Sequence, residues 1–315
     1  MSNFLKYLPN FPAFNWSQEV LQPILLRVRL KQGQLLEMAQ SLPIEFRELV
    51  NDEMIKKETN GHIFIENGTN FPENEAKVAI FLQNELRQQY QHTLTKERLF
   101  ELHQDLSILF GQNIDNQYVL DKEAEQLLNQ FLVWFNKPGL DRLLKAAIAH
   151  LWFLAISPFE KHSSNLAAII SDIQLSKADG TALKYYSFSS QIASESDHYK
   201  FILSQAQKGS LDITIWLQWF LGCLENAYDS AVLGLTPIME KANFLNAPSP
   251  IQFNRRQQKI IEKLLLGELN ELTTTTYAIF VSCSRDTALR DVTDLIQKGA
   301  LKKTGGAGKN TRYIL

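Results

Sequence analysis

The sequence predicts a mainly α-helical protein that ends in a small basic module. Apolar residues recur at helical spacing through residue 245, and strand-like alternation is scarce there. A Pro-rich break at 246–250 separates this body from residues 251–315. The last segment holds eleven Lys and Arg against six Asp and Glu, so it carries +5 in a chain whose net charge is −2. The body therefore carries −7, and this asymmetry predicts an anionic partner for the tail.

Bulk composition is that of an ordinary soluble globular protein, with 45% hydrophobic and 21% charged residues. A length of 315 residues suggests two or three units. The N-terminus does not resemble a signal peptide, and no segment has the roughly 20 apolar residues that a membrane span needs. We therefore expect a cytoplasmic protein with no membrane partner. Cys223 and Cys283 form no metal or disulfide motif and are predicted to be buried free thiols.

Capping residues and apolar spacing locate the helices of the body. Residues 1–16, rich in Pro and aromatics, are expected to form an extended arm. Ser17 is a plausible N-cap for the first helix, although Pro23 leaves a start nearer Gln22 open. The second helix is expected to end before the turn signal Asn60-Gly61. The predicted helices after the first span 44–57, 75–91 (capped by Asn74), 95–110, 121–135, 140–156, 165–175, 197–207 and 214–244.

The tail is predicted to form three helices (257–266, 273–280 and 285–298) and a hairpin with a glycine-rich turn at 305–308. In the third helix the expected core face is Ala288, Leu289, Val292, Leu295 and Ile296. The run SRDTALRDVTDLIQKGALKKTGGAGKNTRYIL resembles the third helix and wing of the winged helix-turn-helix family. That resemblance implies DNA contact through Arg285, Thr287, Arg290, Lys302, Lys303, Lys309 and Arg312. The alternative is a module for protein contact or dimerisation. A P-loop at Gly308-Lys309 is excluded, because Lys303 stands where a glycine is required.

The central stretch 147–172 reads AIAHLWFLAISPFEKHSSNLAAIISD. An apolar helix breaks at Ser157-Pro158, and a polar loop leads into a second helix, whose N-terminus could face an anion. This order resembles the Fic family, which transfers nucleotide monophosphates to protein hydroxyls. Residues 17–75 resemble the helical domain that precedes many bacterial Fic domains, and 185–192 and 211–220 resemble later family segments. The resemblance implies a Fic-type helical bundle with an N-terminal helical domain at 1–92, a Fic-like core at 93–245 and a winged helix at 251–315.

The family motif is His-Pro-Phe-x-Asp/Glu-Gly-Asn-Gly-Arg-x-x-Arg, and this chain keeps only Pro158 and Phe159 of it. Ser157 replaces the histidine base, and a hydroxyl without an activator is no general base near neutral pH. Lys161 replaces the metal-binding carboxylate. His162 and Ser164 replace the glycines, whose positive φ a Cβ disfavours. The asparagine position is Ser163, and Asn165 and Ala168 replace the phosphate-binding arginines.

Comparison of this sequence with the family pattern indicates that two further family features are also absent. The segment from Leu106 to Asp121 is too short for the hairpin flap that docks target chains. The self-inhibitory Ser/Thr-x-x-x-Glu-Gly helix has Lys56 and Asn60 at its key positions. His150 and His103 are interpreted as packing residues of helices. A rescued site with His162 as base and Glu160 as metal ligand is the less favoured interpretation.

The sequence thus predicts a catalytically degenerate Fic-fold protein, a DNA-binding regulator or a scaffold that docks a protein partner or a second copy. No cofactor or metal is expected. The alternative is a protein adenylyltransferase with a rearranged active site, which would need ATP and Mg²⁺.

Overall fold

The computed structural model describes residues 4–67, 77, 78, 80–82, 84, 85, 90–110, 122–159, 161–246, 253–265, 269, 271–305 and 311–315. The chain forms two compact units, residues 1–41 with 50–234 and residues 42–49 with 235–315. The predicted domain boundaries near 92 and 250 stay predictions. No described helix is long and apolar enough to cross a membrane.

Nearly all the described secondary structure is helical. A 3₁₀ turn at Leu5–Tyr7 precedes α1 (Gln18–Ser41), α2 (Ile44–Asn67), α3 (Lys96–Leu109), α4 (Lys122–Asn136), α5 (Arg142–Ile156), α6 (Ser163–Asp179), α7 (Phe188–Ser194), α8 (Ser196–Lys208) and α9 (Thr214–Asn246). The tail contributes α10 (Arg255–Leu265), α11 (Thr274–Phe280) and α12 (Arg285–Gln297), then β1 (Lys302–Gly305) and β2 (Arg312–Ile314). The mainly α prediction is confirmed.

Helices α5 and α6 form the centre of the first unit. In α5 all residues except Arg142 and Ala155 are buried, and in α6 every residue from 165 to 176 is buried. α5 is apolar on nearly all sides, as expected of a helix inside a core, and it packs along α6. The arm packs on this centre, since the rings of Phe11 and Phe14 stand edge-on to Trp152 at centroid distances of 6.1 and 5.8 Å.

The predicted helix starts near Ser17 and Thr95 agree with the structure. Thr95 accepts a hydrogen bond from the Arg98 amide at 3.2 Å, and α1 begins one residue after Ser17 with Pro23 inside it. A helix at 75–91 is described only in part: residues 77, 78, 80–82, 84 and 85 are helical, and Tyr90 and Gln91 form a turn. Asn74 lies outside the described residues.

The predicted end of the second helix is wrong. α2 continues through Asn60-Gly61 to Asn67. A Cβ on Gly61 would lie 2.3 Å from the Ser189 carbonyl carbon and 2.4 Å from the Ser190 nitrogen. The glycine therefore permits a close approach between two backbones inside a continuous helix, and a turn is not its role.

In the tail, β1 and β2 pair antiparallel, with Lys302 opposite Ile314 and Lys303 opposite Tyr313. Leu272, just before α11, adds a bridge to this pair, because its amide and carbonyl exchange hydrogen bonds with Tyr313 at 2.9 and 2.8 Å. The module thus contains three short helices and a two-stranded hairpin, and Leu272, between α10 and α11, bridges to the second strand.

Candidate functional site

The loop between α5 and α6 has a defined shape. Ser157 ends α5 in the left-handed region (φ 43°, ψ 65°), and its amide donates to the Phe153 carbonyl at 2.8 Å. Its exposed hydroxyl donates to the Ser163 hydroxyl at 3.3 Å, and Ser163 donates to the Phe159 carbonyl at 2.9 Å. Among the described residues, no imidazole or carboxylate hydrogen-bonds to Ser157. Within the described part of the loop, the Ser163 hydroxyl is therefore the side-chain partner of Ser157, the residue predicted to replace the base.

Aromatic packing holds this loop against α3. The ring of Phe159, 4% exposed, stacks on His103 at a centroid distance of 4.1 Å, and the ring of Phe100 stands edge-on to it at 5.6 Å. The Nε2 atom of His103 lies 3.1 Å from the Lys161 carbonyl oxygen. Burial lowers the pKa of His103 to about 4, so this imidazole is neutral near pH 7. The interpretation of His103 as a helix-packing residue agrees with these contacts.

His162 occupies the position of the first motif glycine, and it adopts φ 60° despite its Cβ. A Cβ disfavours this conformation, as predicted, but it does not prevent it here. His162 is 1% exposed, with its ring 5.1 Å from Phe110 and 5.9 Å from His103. We attribute the retained conformation to this packing, which outweighs a local cost of about 1–2 kcal/mol. Burial, then the charge of Lys161, lowers the pKa of His162.

The remaining motif positions offer little to a phosphate. Lys161 is exposed, Ser164 lies in the first turn of α6, and Ala168 is 2% exposed in the core. Asn165 is 1% exposed, and neither atom of its amide hydrogen-bonds to a described residue. Glu160 lies outside the described residues. The loop thus keeps a helix N-terminus, but one cation, Lys161, is the only charged side chain among its described residues.

Beside Ser157 lies a cavity of about 380 Å³ whose walls are shared between the arm and the core. Residues 4–7 form one wall, and Leu154, Ala155 and Gln207 form the other. Leu5, 1% exposed, anchors the arm here. The arm therefore lies next to Ser157 across this cavity, a proximity that the sequence did not predict.

A buried ion network joins α2 to α6 and to the segment before α7. The ammonium of Lys184 donates to Asp172 Oδ1 at 2.6 Å, and Glu58 accepts from the Ser187 hydroxyl at 2.6 Å and the Ser189 amide at 3.0 Å. His62 Nε2 lies 3.7 Å from Glu58 Oε1 and 3.8 Å from Asp172 Oδ2.

Glu58, His62 and Asp172 each place one ligand atom within 4.8 Å of the others, so among the described residues they are the set that could hold a metal ion. The ammonium of Lys184 already supplies a positive charge to Asp172, and we interpret the group as a structural network. Burial raises the pKa of Glu58, and the charge of Asp172 adds to this. Sequence reasoning missed this network; the i, i+4 pair Glu58 and His62 on one helix was its only local signal.

His150 is a satisfied core histidine, as predicted. Its Nδ1 lies 3.0 Å from the Ser171 hydroxyl and its Nε2 lies 3.0 Å from the Tyr199 hydroxyl. Burial lowers its pKa to about 3, and repulsion from His62 adds to the shift. A neutral imidazole with both nitrogens engaged stabilises the core and is not free for proton transfer.

The predicted nucleic-acid residues form an exposed basic set in the tail. Arg285 and Arg290 on α12 and Lys302 and Lys303 on β1 are exposed, and none makes an ion pair with a described residue. Two members are engaged: the Thr287 hydroxyl lies 2.9 Å from the Ser284 hydroxyl at the helix cap, and Arg312 pairs with Glu271 at 2.5 Å. Lys309 lies outside the described residues.

A buried carboxylate orients α12 in this module. Asp291, 6% exposed, accepts hydrogen bonds from Arg256 Nε at 2.7 Å, the Tyr277 hydroxyl at 2.9 Å and Asn254 Nδ2 at 3.0 Å. Burial alone would raise the pKa of Asp291, but these hydrogen bonds hold it below its usual value. One side chain thus ties α12 to α10 and α11.

Two burial predictions fail in the tail. Leu289 and Ile296 are 53% and 38% exposed, because the core stripe of α12 is Ala288, Val292 and Leu295, at i, i+4 and i+7. Cys283 is half-buried rather than buried, since it lies in the turn between α11 and α12, whereas Cys223 is buried as predicted.

The chain is similar in structure to a Fic family protein from Desulfovibrio desulfuricans G20. The similarity covers 96% of this chain and 98% of that one, with a TM-score of 0.61 and 15% sequence identity. No protein-family model matches the sequence, and no curated protein is significantly similar. The protein therefore has the Fic fold, as the residues around Pro158 and Phe159 predicted.

Proposed function

We propose that this Fic-fold protein has lost nucleotidyl transfer and acts by binding DNA through residues 251–315. The observation that carries the proposal is the set of exposed cations on α12 and β1 that make no ion pair with described residues. They lie on a module with a net charge of +5 beside a body of −7. Such an arrangement favours a polyanion at this one surface.

The winged-helix interpretation of this module is supported by the order of its elements. Three short helices precede a β pair, and the bridge from Leu272 to Tyr313 extends the pair to a third segment. In winged helix-turn-helix proteins the N-terminal half of the third helix reads base edges. Here that half presents Arg285 and Arg290, and the exposed Leu289 lies between them.

The loss of catalysis is supported by the chemistry of the α5–α6 loop. Ser157 has no adjacent base among the described residues, and His162 is too buried to reach a substrate hydroxyl. The residues do not fit Mg²⁺ and ATP, because Lys161 stands where a carboxylate ligand is needed and Asn165 and Ala168 offer no positive charge.

DNA binding is tested by fluorescence anisotropy on the full chain, with a labelled duplex pool and a salt series. Four phosphate contacts predict a slope of log K against log salt near −3.6, and a loss of about 150-fold in affinity between 50 and 200 mM salt. The double variant Arg285→Glu and Arg290→Glu should at least halve the slope. Lys259→Glu, an exposed cation on α10, is the matched control. If the full chain bound no duplex at low salt, the proposal that it binds DNA would be refuted.

Transfer is tested separately, with α-labelled ATP, Mg²⁺ or Mn²⁺, and candidate protein targets. We expect no label on protein and no heat of ATP binding by calorimetry. Stable label that disappears in His162→Ala would establish the alternative, an adenylyltransferase with a rearranged site. The DNA assay tests the surface of residues 251–315, and the transfer assay tests the α5–α6 loop. DNA binding and the loss of nucleotidyl transfer can therefore be refuted independently.

A further inference from the structure

A polar pocket of about 640 Å³ lies at the end of α5 that is opposite Ser157. It is formed by the corner between α4 and α5 (residues 135–142), by one face of α6, and by Tyr90 and Gln91. About 14 residues of helix separate it from the α5–α6 loop, a distance near 21 Å at 1.5 Å per residue. The pocket is therefore distinct from the loop described above.

Positive charge dominates the pocket, although the surrounding body of the protein is acidic. Its lining includes four cations: Lys137, Arg142, Lys145 and Lys177. Asp141 is the one carboxylate in the described lining, and it is already engaged. Its Oδ2 accepts from Arg29 at 2.7 Å, and its Oδ1 caps α5 by accepting from the Leu143 amide at 2.8 Å. The four cations thus have no carboxylate of the pocket left to balance them.

Of the four cations, Lys145 gives the strongest indication of a binding site, because its side chain is only 5% exposed. Its ammonium has three N–H donors, and within the described residues one hydrogen bond is made, to the Lys137 carbonyl. The ring of Trp134 lies 5.3 Å from the ammonium. Burial, then repulsion from Lys177 and Arg142, lowers the pKa of Lys145 to about 8. A buried cation with no counter-ion costs stability, and binding sites are a common reason to retain one.

A second buried group in the lining also lacks a partner. Gln174 is 1% exposed, and its Oε1 hydrogen-bonds to no described residue. Its Nε2 lies 3.4 Å from the Phe135 carbonyl, which leaves the oxygen for a donor. A ligand that brings both negative charge and a hydroxyl would satisfy the lysine and the glutamine together.

We propose that this pocket binds a phosphate-bearing small molecule, with Lys145, Arg142 and Lys177 on the phosphate and Gln174 on a neighbouring hydroxyl. The dianionic charge of a phosphate matches a site with four cations better than one carboxylate does. The guanidinium of Arg142 supplies forked donors, and the lysines supply point charges, which is the usual division of roles in phosphate sites. Binding here does not depend on the DNA contact proposed above.

Isothermal titration of the full chain with inorganic phosphate, pyrophosphate and tricarballylate, a tricarboxylate without a hydroxyl, tests the proposal at constant ionic strength. Pyrophosphate should bind at least tenfold more tightly than tricarballylate. Lys145→Met and Arg142→Gln should each weaken pyrophosphate binding about tenfold or more, since each removes a charge-assisted contact. Lys302→Gln, on the basic tail, should leave it unchanged. Equal binding of tricarballylate and pyrophosphate, or a loss with Lys302→Gln in place of the pocket variants, would overturn the proposal.

Thermal unfolding adds a readout that a purely structural lysine would not produce. Without ligand, Lys145→Met should unfold at the same temperature as the parent or a higher one, because the uncompensated buried charge is gone. Pyrophosphate should raise the midpoint of the parent more than that of Lys145→Met at the same concentration, because the variant binds it more weakly. Arg142 is exposed, so Arg142→Gln remains a test even if Lys145→Met does not fold. A ligand-induced shift that both variants retain in full would refute the site.

Discussion

Replacing Lys184 by Met should destabilise the first unit severely. Lys184 and Asp172 are each 2% exposed and Glu58 is fully buried, so two carboxylates would lose the one ammonium that balances them. Removal of one partner of a buried ion pair typically costs about 3–5 kcal/mol. For a unit of this size that corresponds to a fall in melting temperature of roughly 6–20 °C.

The assay is chemical and thermal unfolding followed by circular dichroism at several pH values. The double variant Lys184→Met with Asp172→Asn is the matched control. It removes both charges and should recover at least half of the loss.

The pH dependence of the loss follows from the charges. Burial alone would raise the pKa of Asp172, but Lys184 holds it near 2 in the folded protein, below the usual unfolded value near 4. The pair therefore stabilises the parent above about pH 4, and this is lost as the pH falls towards 2. In Lys184→Met the carboxyls can protonate, so the deficit relative to the parent should shrink between pH 7 and pH 4. If Lys184→Met lowered the free energy of unfolding by less than about 1 kcal/mol at pH 7, the ion pair would not stabilise the unit as argued. A deficit that did not change with pH would refute the role assigned to the carboxylates.

Four further outcomes are expected. Gly61→Ala should destabilise by at least about 2 kcal/mol in urea unfolding, because its Cβ would lie 2.3 Å from backbone. Gly33→Ala, with nothing within 4 Å in an exposed part of α1, should be neutral or stabilising by up to about 1 kcal/mol. Tyr277→Phe should cost roughly 1–2 kcal/mol, because it removes the hydrogen bond to Asp291, and a smaller effect would exclude a major role for that bond. His150, whose pKa is lowered to about 3, should stay neutral by NMR down to pH 4, and its contribution to stability should be lost as the pH falls from 6.5 towards 3.

Local signals predicted the helices well. Two kinds of signal were sufficient: capping residues, such as Thr95 and Ser284, and the spacing of apolar residues. Both depend only on neighbours within one or two helical turns, so a single sequence shows them. Asn60-Gly61 is an exception: this dipeptide is a strong turn signal, but it lies inside α2. Gly61 serves a contact with residues 189 and 190, about 130 positions away, and no local rule could identify it.

The buried ion network could not be predicted either, because its members are far apart in the sequence. Glu58 and Asp172 are 114 positions apart in sequence, and Lys184 reaches Asp172 from a segment outside α6. A lone Lys or Asp in an apolar stretch gives no sign of its partner. The same holds for the phosphate pocket, whose cations come from α5, α6 and the corner before α5.

The α5–α6 loop shows that the shape of a binding loop and its chemistry can be determined by different residues. In this chain the left-handed conformation at His162 survives without glycine, because the ring is buried beside Phe110 and His103. Phe159 packs on the same histidine and fixes the preceding turn. None of these contacts uses a residue that would bind phosphate or activate a hydroxyl. Packing alone can therefore hold this loop in its backbone conformation without a glycine at residue 162, and a Fic fold says little by itself about transfer activity.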